Sequence, residues 1–150
     1  MKAVIQRVIS ACVKIDNQAV SSIKKGMVVL LGISDADTQQ DIDMMTDKIK
    51  NLRIFPDDQG KMNISIKEAG GEILVVSQFT LLGDLEKGRR PSFVNAAPPQ
   101  KAQEIYTQVV DKLKKDGLKV ATGKFRESMQ VELTNDGPVT LIFDTKNKFS

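Results

Sequence analysis

The sequence predicts one α+β domain in which mostly antiparallel strands carry two helices. Its 150 residues, 41% of them hydrophobic, suit a single compact core. Two apolar runs, residues 27–33 and 73–76, are typical of buried strands, and two longer segments repeat apolar residues at spacings of three and four. No internal repeat, low-complexity tract or linker interrupts the chain, so we expect residues 1–150 to form one domain.

The beginning of the chain predicts strands. Residues 4–9 form a strand-like apolar run, residues 11–15 alternate apolar with polar side chains, and Asp16-Asn17-Gln18 supplies turn residues before a further strand at 19–23. This pattern favours a hairpin or a meander. The continuous apolar run at 27–33 is typical of a strand covered on both faces, so we place it at the centre of the sheet.

Two amphipathic segments predict the helices. In residues 39–52 apolar side chains recur every three or four positions, and Thr38 can cap the start. The second helix should start at Pro98-Pro99 and end near Asp116-Gly117, because proline suits a first turn and glycine a C-terminus. The apolar stripes consist of Ile42, Met45, Ile49 and Leu52 in the first helix and of Ala102, Ile105, Tyr106, Val109, Val110 and Leu113 in the second.

The C-terminal third predicts a β-hairpin. Residues 129–133 alternate apolar with polar side chains, and residues 139–143 resume a strand. Between them, Asn135-Asp136-Gly137-Pro138 contains the Asp-Gly pair of many turns. Pro138 argues otherwise, because it lacks the N–H that a strand residue after the turn would use for pairing. The sequence leaves open whether the Gly137-Pro138 bond is cis.

Composition excludes several classes of chemistry. The chain has no histidine and a single cysteine, Cys12, which removes Ser-His-Asp and Cys-His catalysis, disfavours a zinc site and leads us to expect no metal and no cofactor. The net charge of +3 gives a mild bias toward polyanionic partners. With no internal disulfide, no secretory signal and no membrane-spanning run, we expect a cytoplasmic protein without membrane contact.

The apolar strand at 73–76 ends in Ser77-Gln78-Phe79-Thr80, where two hydroxyls and an amide flank an aromatic ring. Strand ends often carry active sites, because the sheet holds side chains that the following loop exposes. The alternative is structural: the hydroxyls bond the sheet and Phe79 fills the core. A Thr80 nucleophile lacks a neighbouring base, whereas backbone amides at the strand end could form an oxyanion hole.

The polar stretch 83–95 predicts a loop, with Lys87-Gly88-Arg89-Arg90 near its centre. Clustered cations beside a strand-end site could hold phosphates or the acceptor end of a tRNA, because arginine can bind two phosphate oxygens at once. A solvated basic loop explains the same residues.

These segments, taken in order, resemble the D-aminoacyl-tRNA deacylase family, also called D-tyrosyl-tRNA deacylases. The resemblance covers almost the whole chain. Any one short motif is weak evidence, whereas the ordered set is highly specific. The segments that carry it are residues 1–8, 30–33, 51–55, 76–81, 87–93 and 135–140.

The resemblance implies an α+β fold with a mostly antiparallel, barrel-like sheet core, two main helices and a homodimer with active sites at the subunit interface. It implies hydrolysis of the ester bond of D-aminoacyl-tRNA in chiral proofreading. The residues implied are Ser77, Gln78, Phe79 and Thr80 lining the catalytic pocket, Gly137 and a cis Pro138 entering the other subunit's pocket, Phe125 and Met129 binding substrate, and Lys87, Arg89 and Arg90 contacting tRNA.

The same resemblance suggests a mechanism. Without histidine, the adenosine 2′-OH beside the ester could assist the attacking water while backbone amides near Phe79 and Thr80 stabilise the oxyanion. A filter built from backbone should tolerate many D-amino acids and admit glycine, which has no side chain to reject. The chain departs from the family pattern at two places. It has Leu82-Gly83 where an aromatic and a small residue are expected, and it has Phe125-Arg126 where relatives usually have Phe-Gly.

Two other functions fit parts of the sequence. A non-catalytic nucleic-acid-binding module would use the basic loop, although aromatic residues for base stacking make up only 5% of the chain. A metal-independent hydrolase of small D-amino esters or peptides would share the pocket but not the tRNA. Hydrolysis of D-Tyr-tRNA distinguishes the first, and comparison with D-tyrosine methyl ester distinguishes the second.

Overall fold

The computed structural model describes residues 1–147, so an expectation that residues 147–150 are frayed falls almost entirely outside the described residues. Within residues 1–147 no helix is long and apolar enough to cross a membrane. The elements in chain order are β1 (Lys2–Ile15), β2 (Gln18–Ile23), β3 (Gly26–Gly32), α1 (Gln39–Asn51), β4 (Arg53–Pro56), β5 (Met62–Ser65), β6 (Glu72–Ser77), a 3₁₀ turn (Phe79–Leu82), α2 (Pro99–Lys115), β7 (Lys119–Thr122) and β8 (Gln130–Asp144).

The long strand β1 organises the sheet. β8 pairs antiparallel with β1 along most of its length, while β3 and then β2 pair antiparallel with its other edge. β6 and β7 continue the sheet in parallel from β3, which gives the order β2-β1-β3-β6-β7. The sheet curls until β2 contacts β6 and β7, and β4 and β5 pair separately. The predicted α+β class, with a mostly antiparallel, barrel-like sheet and two helices, is confirmed.

Both faces of β3 are buried, as its continuous apolar sequence predicted. Met27, Val29 and Leu31 face the two helices, whereas Val28 and the partly buried Leu30 face the interior of the curled sheet. Burying one such side chain stabilises the fold by roughly 1.5–3 kcal/mol. The helices cover the outer face with the stripes predicted above, namely Ile42, Met45 and Ile49 from α1 and Ala102, Ile105, Tyr106, Val109, Val110 and Leu113 from α2.

A polar cluster around the buried carboxylate of Asp41 fixes the start of α1. Thr38 caps the helix in a capping box with Asp41, whose carboxylate accepts the Thr38 N–H at 2.8 Å. Asp41 also accepts hydrogen bonds from Thr145 and, at 2.8 Å, from Lys146. Burial alone would raise the pKa of Asp41, but the hydrogen bonds from Lys146, Thr145 and Thr38 outweigh burial and hold the pKa well below its usual range. The cluster therefore ties the chain after β8 to α1.

The predicted C-terminal hairpin is wrong. β8 is a single strand antiparallel to β1, and residues 135–138 form a bulge in it where the register with β1 shifts. Pro138 has no N–H to pair, and the side chain of Asn135 accepts the Val139 N–H at 2.8 Å. A bulge provides the unpaired position that proline needs, so the strand continues past it.

The N-terminal prediction of a hairpin is confirmed. Residues 4–15 all lie in β1, and β2 follows after Asp16 and Asn17, whose φ angles of 50° and 63° are tolerated by these residue types. The strands β4, β5 and β7 have only four residues each and were not predicted.

Candidate active site

A cavity of about 640 Å³ opens beside the end of β6. Its walls are the residues that follow β6, the segment that leads into α2, and the segment between β7 and β8. Ser77, Gln78, Phe79, Phe125 and Met129, all named from the sequence, line it together. The remaining lining residues are Ile33, Val76, Phe93, Ala96, Ala97, Pro98, Pro99, Ala102, Arg126, Glu127 and Val131. The volume is within the range of small-molecule sites.

Ser77 marks the point where parallel pairing of β6 ends. It is the last residue of β6 to pair with β3, opposite Leu31, and the next N–H, that of Gln78, donates to the Leu31 carbonyl at 2.8 Å. The first N–H groups of a helical turn have no partner within the turn. Among residues 1–147 the N–H groups of Phe79 and Thr80 make no backbone hydrogen bond, so two donors are available beside the cavity.

The Thr80 side chain lies at the edge of this arrangement. Thr80 is exposed and is not part of the cavity lining. Its hydroxyl oxygen accepts a hydrogen bond from the side-chain amide of Gln78. An amide N–H cannot take up a proton, so this neighbour does not provide the base that a threonine nucleophile requires.

Aromatic rings form much of the cavity wall. Phe79, which is 56% exposed, packs edge-on against Phe93 with ring centroids 5.1 Å apart. Phe125 packs against Tyr106, whose centroid lies 5.9 Å away. The Tyr106 hydroxyl donates to the Val75 carbonyl at 2.7 Å, and burial raises the pKa of Tyr106 to about 12. The Tyr106 phenol therefore stays neutral. Its hydrogen bond to Val75 holds the ring against which Phe125 packs, and Phe125 presents apolar surface to the cavity.

Gly137 and Pro138 do not line this cavity. They are exposed in the β8 bulge and joined by a cis peptide bond. Gly137 has a φ of +137°, and a Cβ at this position would lie 2.8 Å from the Val139 side chain and 3.2 Å from the guanidinium of Arg7. The two predicted groups, strand-end residues and selectivity residues, are therefore separate within one chain.

Arg7 holds the bulge in place, and sequence reasoning missed it. Its Nε donates to the Asp136 carbonyl at 3.0 Å, and its Nη1 donates to the Ile54 carbonyl at 2.7 Å. The side chain is only 11% exposed. A charged residue inside the apolar opening run was the available signal, because a buried arginine needs partners.

Comparison with known proteins decides the family. A family model described as D-Tyr-tRNA(Tyr) deacylase matches residues 4–144. The chain belongs to the D-aminoacyl-tRNA deacylase family. It is 54% identical to the D-aminoacyl-tRNA deacylase of Natranaerobius thermophilus and 53% identical to that of Clostridioides difficile, in each case over 99% of this chain and 100% of the relative. The resemblance is confirmed, and the chain is a hydrolase of ester bonds.

Solved structures agree with the fold of this deacylase. One described as c-Myc DNA unwinding element binding protein superposes with a TM-score of 0.92 at 42% identity, covering 98% of this chain and 100% of its own. A probable eukaryotic D-amino acid tRNA deacylase has a TM-score of 0.80 at 18% identity, covering 95% and 97% of the two chains. The second likeness concerns the fold alone.

The cations of the basic loop are not among the residues that line the cavity of this deacylase. Lys87, Arg89 and Arg90 are exposed, and none of them lines the cavity. The backbone groups of Asp84 and Ser92 pair at 2.8 and 3.0 Å and close the base of the loop. Contact between these three cations and tRNA stays a prediction.

Proposed function

We propose that this deacylase hydrolyses the ester between a D-amino acid and the terminal adenosine of tRNA, in the cytoplasm, with no cofactor. The observation that carries the proposal is the cavity beside the free N–H groups of Phe79 and Thr80. A single oxyanion-hole donor can lower the barrier of acyl transfer by roughly 3 kcal/mol. The family supplies the substrate class, and this geometry offers a place to hold its ester.

The proposed reaction needs only water and the substrate. A water oxygen attacks the ester carbonyl carbon and negative charge develops on the carbonyl oxygen. Collapse of this intermediate breaks the bond to the ribose 3′ oxygen, which takes up the proton that the water releases. The neighbouring 2′-OH assists the water, because the chain has no histidine to act as base. Ser77 and Gln78 orient the ester, while the backbone of Phe79 and Thr80 holds the oxyanion.

The D and L substrates share the ester and the ammonium group and differ in the direction of the side chain. Selection of the D substrate therefore requires a steric clash with the L side chain. Gly137 and Pro138 are exposed and Arg7 fixes their segment, yet they do not line the cavity of their own chain. We place them in the pocket of a second copy, where backbone atoms block an L side chain. Phe125 and Met129 then contact the D side chain. Such a filter also admits glycine, so the enzyme would also hydrolyse tRNA-Ala that is mischarged with glycine.

Features of β8 support the homodimer. Among the described residues β8 pairs with no strand other than β1, so its second edge is free. Leu141 and Ile142, near its end, are 39% and 79% exposed. Apolar side chains on an unpaired edge strand favour a partner that covers them. A second copy of this chain would cover β8 and bring residues 137–138 to the other cavity.

A second candidate is a nucleic-acid-binding module without catalysis. It is favoured by the 42% identical structure, which is described as a c-Myc DNA unwinding element binding protein, and by the exposed cations Lys87, Arg89 and Arg90. The cavity with its free backbone donors has no part in this function.

Turnover on matched substrates separates these functions. We expect D-Tyr-tRNA and Gly-tRNA to be hydrolysed, with kcat/KM for D-Tyr-tRNA exceeding that for D-tyrosine methyl ester by roughly 100-fold or more, because the tRNA supplies remote binding energy. Similar efficiency on the methyl ester would instead identify a small-ester hydrolase. Salt-dependent retention of tRNA with no ester cleavage would identify the binding module.

A further inference from the structure

Arg126 is one of two charged residues among those that line the cavity, the other being Glu127. Arg126 is exposed, and within residues 1–147 it forms no ion pair. The turn that carries it is fixed by two backbone N–H groups, that of Glu127 to the Lys124 carbonyl and that of Lys124 to the Met129 sulfur, each at 3.3 Å. A free guanidinium therefore stands at the cavity on an ordered turn.

The backbone of Arg126 is strained. Its φ is +66°, in the left-handed region that glycine adopts freely and other residues adopt at a cost. Residues in such sparsely populated conformations persist only where the surrounding structure holds them, and they cluster at active sites and ligand-binding positions. An arginine at this position indicates a role for its side chain in the cavity.

We propose that Arg126 binds the phosphate on the 5′ side of the substrate's terminal adenosine, an inference that rests on the proposed function. With the ester carbonyl at the Phe79 and Thr80 N–H groups, the ribose separates the ester from that phosphate. The phosphate then lies outside the part of the cavity that holds the ester, and Arg126 is the one cation among the lining residues and is exposed. A guanidinium can donate two parallel hydrogen bonds to phosphate oxygens. The carboxylate of Glu127, which also lines the cavity, repels the phosphate, so we expect Arg126 to strengthen substrate binding only moderately.

Two substrates that differ by a single charge test the contact. One is 3′-O-D-tyrosyl adenosine, and the other is the same ester carrying a 5′-phosphate methyl ester, which has the charge of a phosphodiester. For the wild-type enzyme we expect the phosphate to lower KM roughly 3- to 10-fold with kcat unchanged. In Arg126→Gly and Arg126→Ala the two KM values should coincide, and Arg126→Lys should retain part of the difference.

Lys115→Ala is the matched control. It also removes one positive charge, but Lys115 ends α2, whereas the cavity borders the beginning of this 17-residue helix, roughly 25 Å away. The control should keep the wild-type KM ratio. Arg126→Gly removes the backbone strain, so its melting temperature should equal or exceed that of the wild type.

The results separate the two proposals. If the wild type hydrolyses both esters and Arg126→Gly still prefers the phosphorylated one, the contact with Arg126 is overturned and the proposed function stands. The contact is also overturned if the wild-type enzyme has the same KM for the esters with and without the 5′-phosphate. If the wild type hydrolyses none of the three substrates, neither of the two esters nor D-Tyr-tRNA, the proposed function and the contact are overturned together.

Discussion

Thr80 has its backbone N–H beside the cavity and its hydroxyl outside the cavity lining. The hydroxyl is held by the Gln78 amide, which cannot act as a base. At the scale of single residues, catalysis is therefore assigned to the backbone of the 3₁₀ turn and to the substrate's own 2′-OH. Side-chain chemistry at Thr80 is not required.

Removing the hydroxyl tests this assignment. Thr80→Ala should keep kcat within about 3-fold, whereas D-Tyr-tRNA ending in 2′-deoxyadenosine should react roughly 100-fold or more slowly, the typical contribution of a group that assists proton transfer. Single-turnover kinetics measure both, and competition by the 2′-deoxy substrate checks that it still binds. The opposite pattern, an inactive Thr80→Ala with normal cleavage of the 2′-deoxy substrate, would make Thr80 the nucleophile.

Single-residue roles differ in how far sequence reveals them. Ser77 to Thr80 could be named because a buried apolar run ends there, and that local pattern directly reflects the end of a strand. Arg7 could not, because its hydrogen bond to Asp136 joins residues 129 positions apart and exists only once β1 pairs with β8. The strain at Arg126 also becomes visible only with its backbone angle.

At the scale of elements, patterns that mirror burial were predictable. The helices follow their apolar periodicity because one face of each packs on the core, and β3 follows its continuous apolar run because both of its faces are buried. β8 misled the prediction because its Asp-Gly pair is a local turn signal, whereas the bulge is stabilised by β1 through Arg7. The strands β4, β5 and β7 have four residues each and are too short for a periodic signal.

The capping cluster of α1 predicts how stability depends on pH. The folded-state pKa of Asp41 lies below its unfolded value, about 3.9, so its contribution is complete above about pH 5 and is lost as pH falls through 4 toward the folded pKa. Asp41→Asn should cost roughly 1–3 kcal/mol of unfolding free energy at pH 7, because the buried Thr145 hydroxyl and the Lys146 ammonium lose their charged acceptor.

Urea unfolding at pH 7 and at pH 3 measures both effects. The wild type should lose more stability than Asp41→Asn between these two pH values, so the two unfolding free energies converge in acid. Asp58→Asn, at an exposed aspartate after β4, is the control and should follow the wild type. Parallel losses in the wild type and in Asp41→Asn would contradict the role given to this carboxylate.

At the scale of the whole molecule, one chain provides a cavity and an exposed Gly137-Pro138 segment that are separate from each other. The proposed homodimer joins them by placing the segment of each chain at the cavity of the other. The sequence could suggest this arrangement only by resemblance, because an interface strand and a core strand have similar composition. Selectivity would then depend on assembly, and each site would need both chains.

Hybrid dimers can separate the two contributions. Ala102→Trp adds a large ring from α2 into the cavity, while Gly137→Ala adds a Cβ that meets the Val139 side chain at 2.8 Å and disturbs the segment. In a hybrid of the two variants, the intact cavity of the Gly137→Ala chain receives the intact segment of the Ala102→Trp chain. Each homodimer lacks such a complete site.

The ratio of hydrolysis rates for D-Tyr-tRNA and L-Tyr-tRNA tests the account most directly. We predict a ratio of roughly 100 or more for the wild type, no activity for Ala102→Trp, a reduced ratio for Gly137→Ala, and recovery of the wild-type ratio in the hybrid at about half the wild-type activity. Equal rates on the two substrates for the wild type, or a hybrid no more selective than Gly137→Ala, would contradict it.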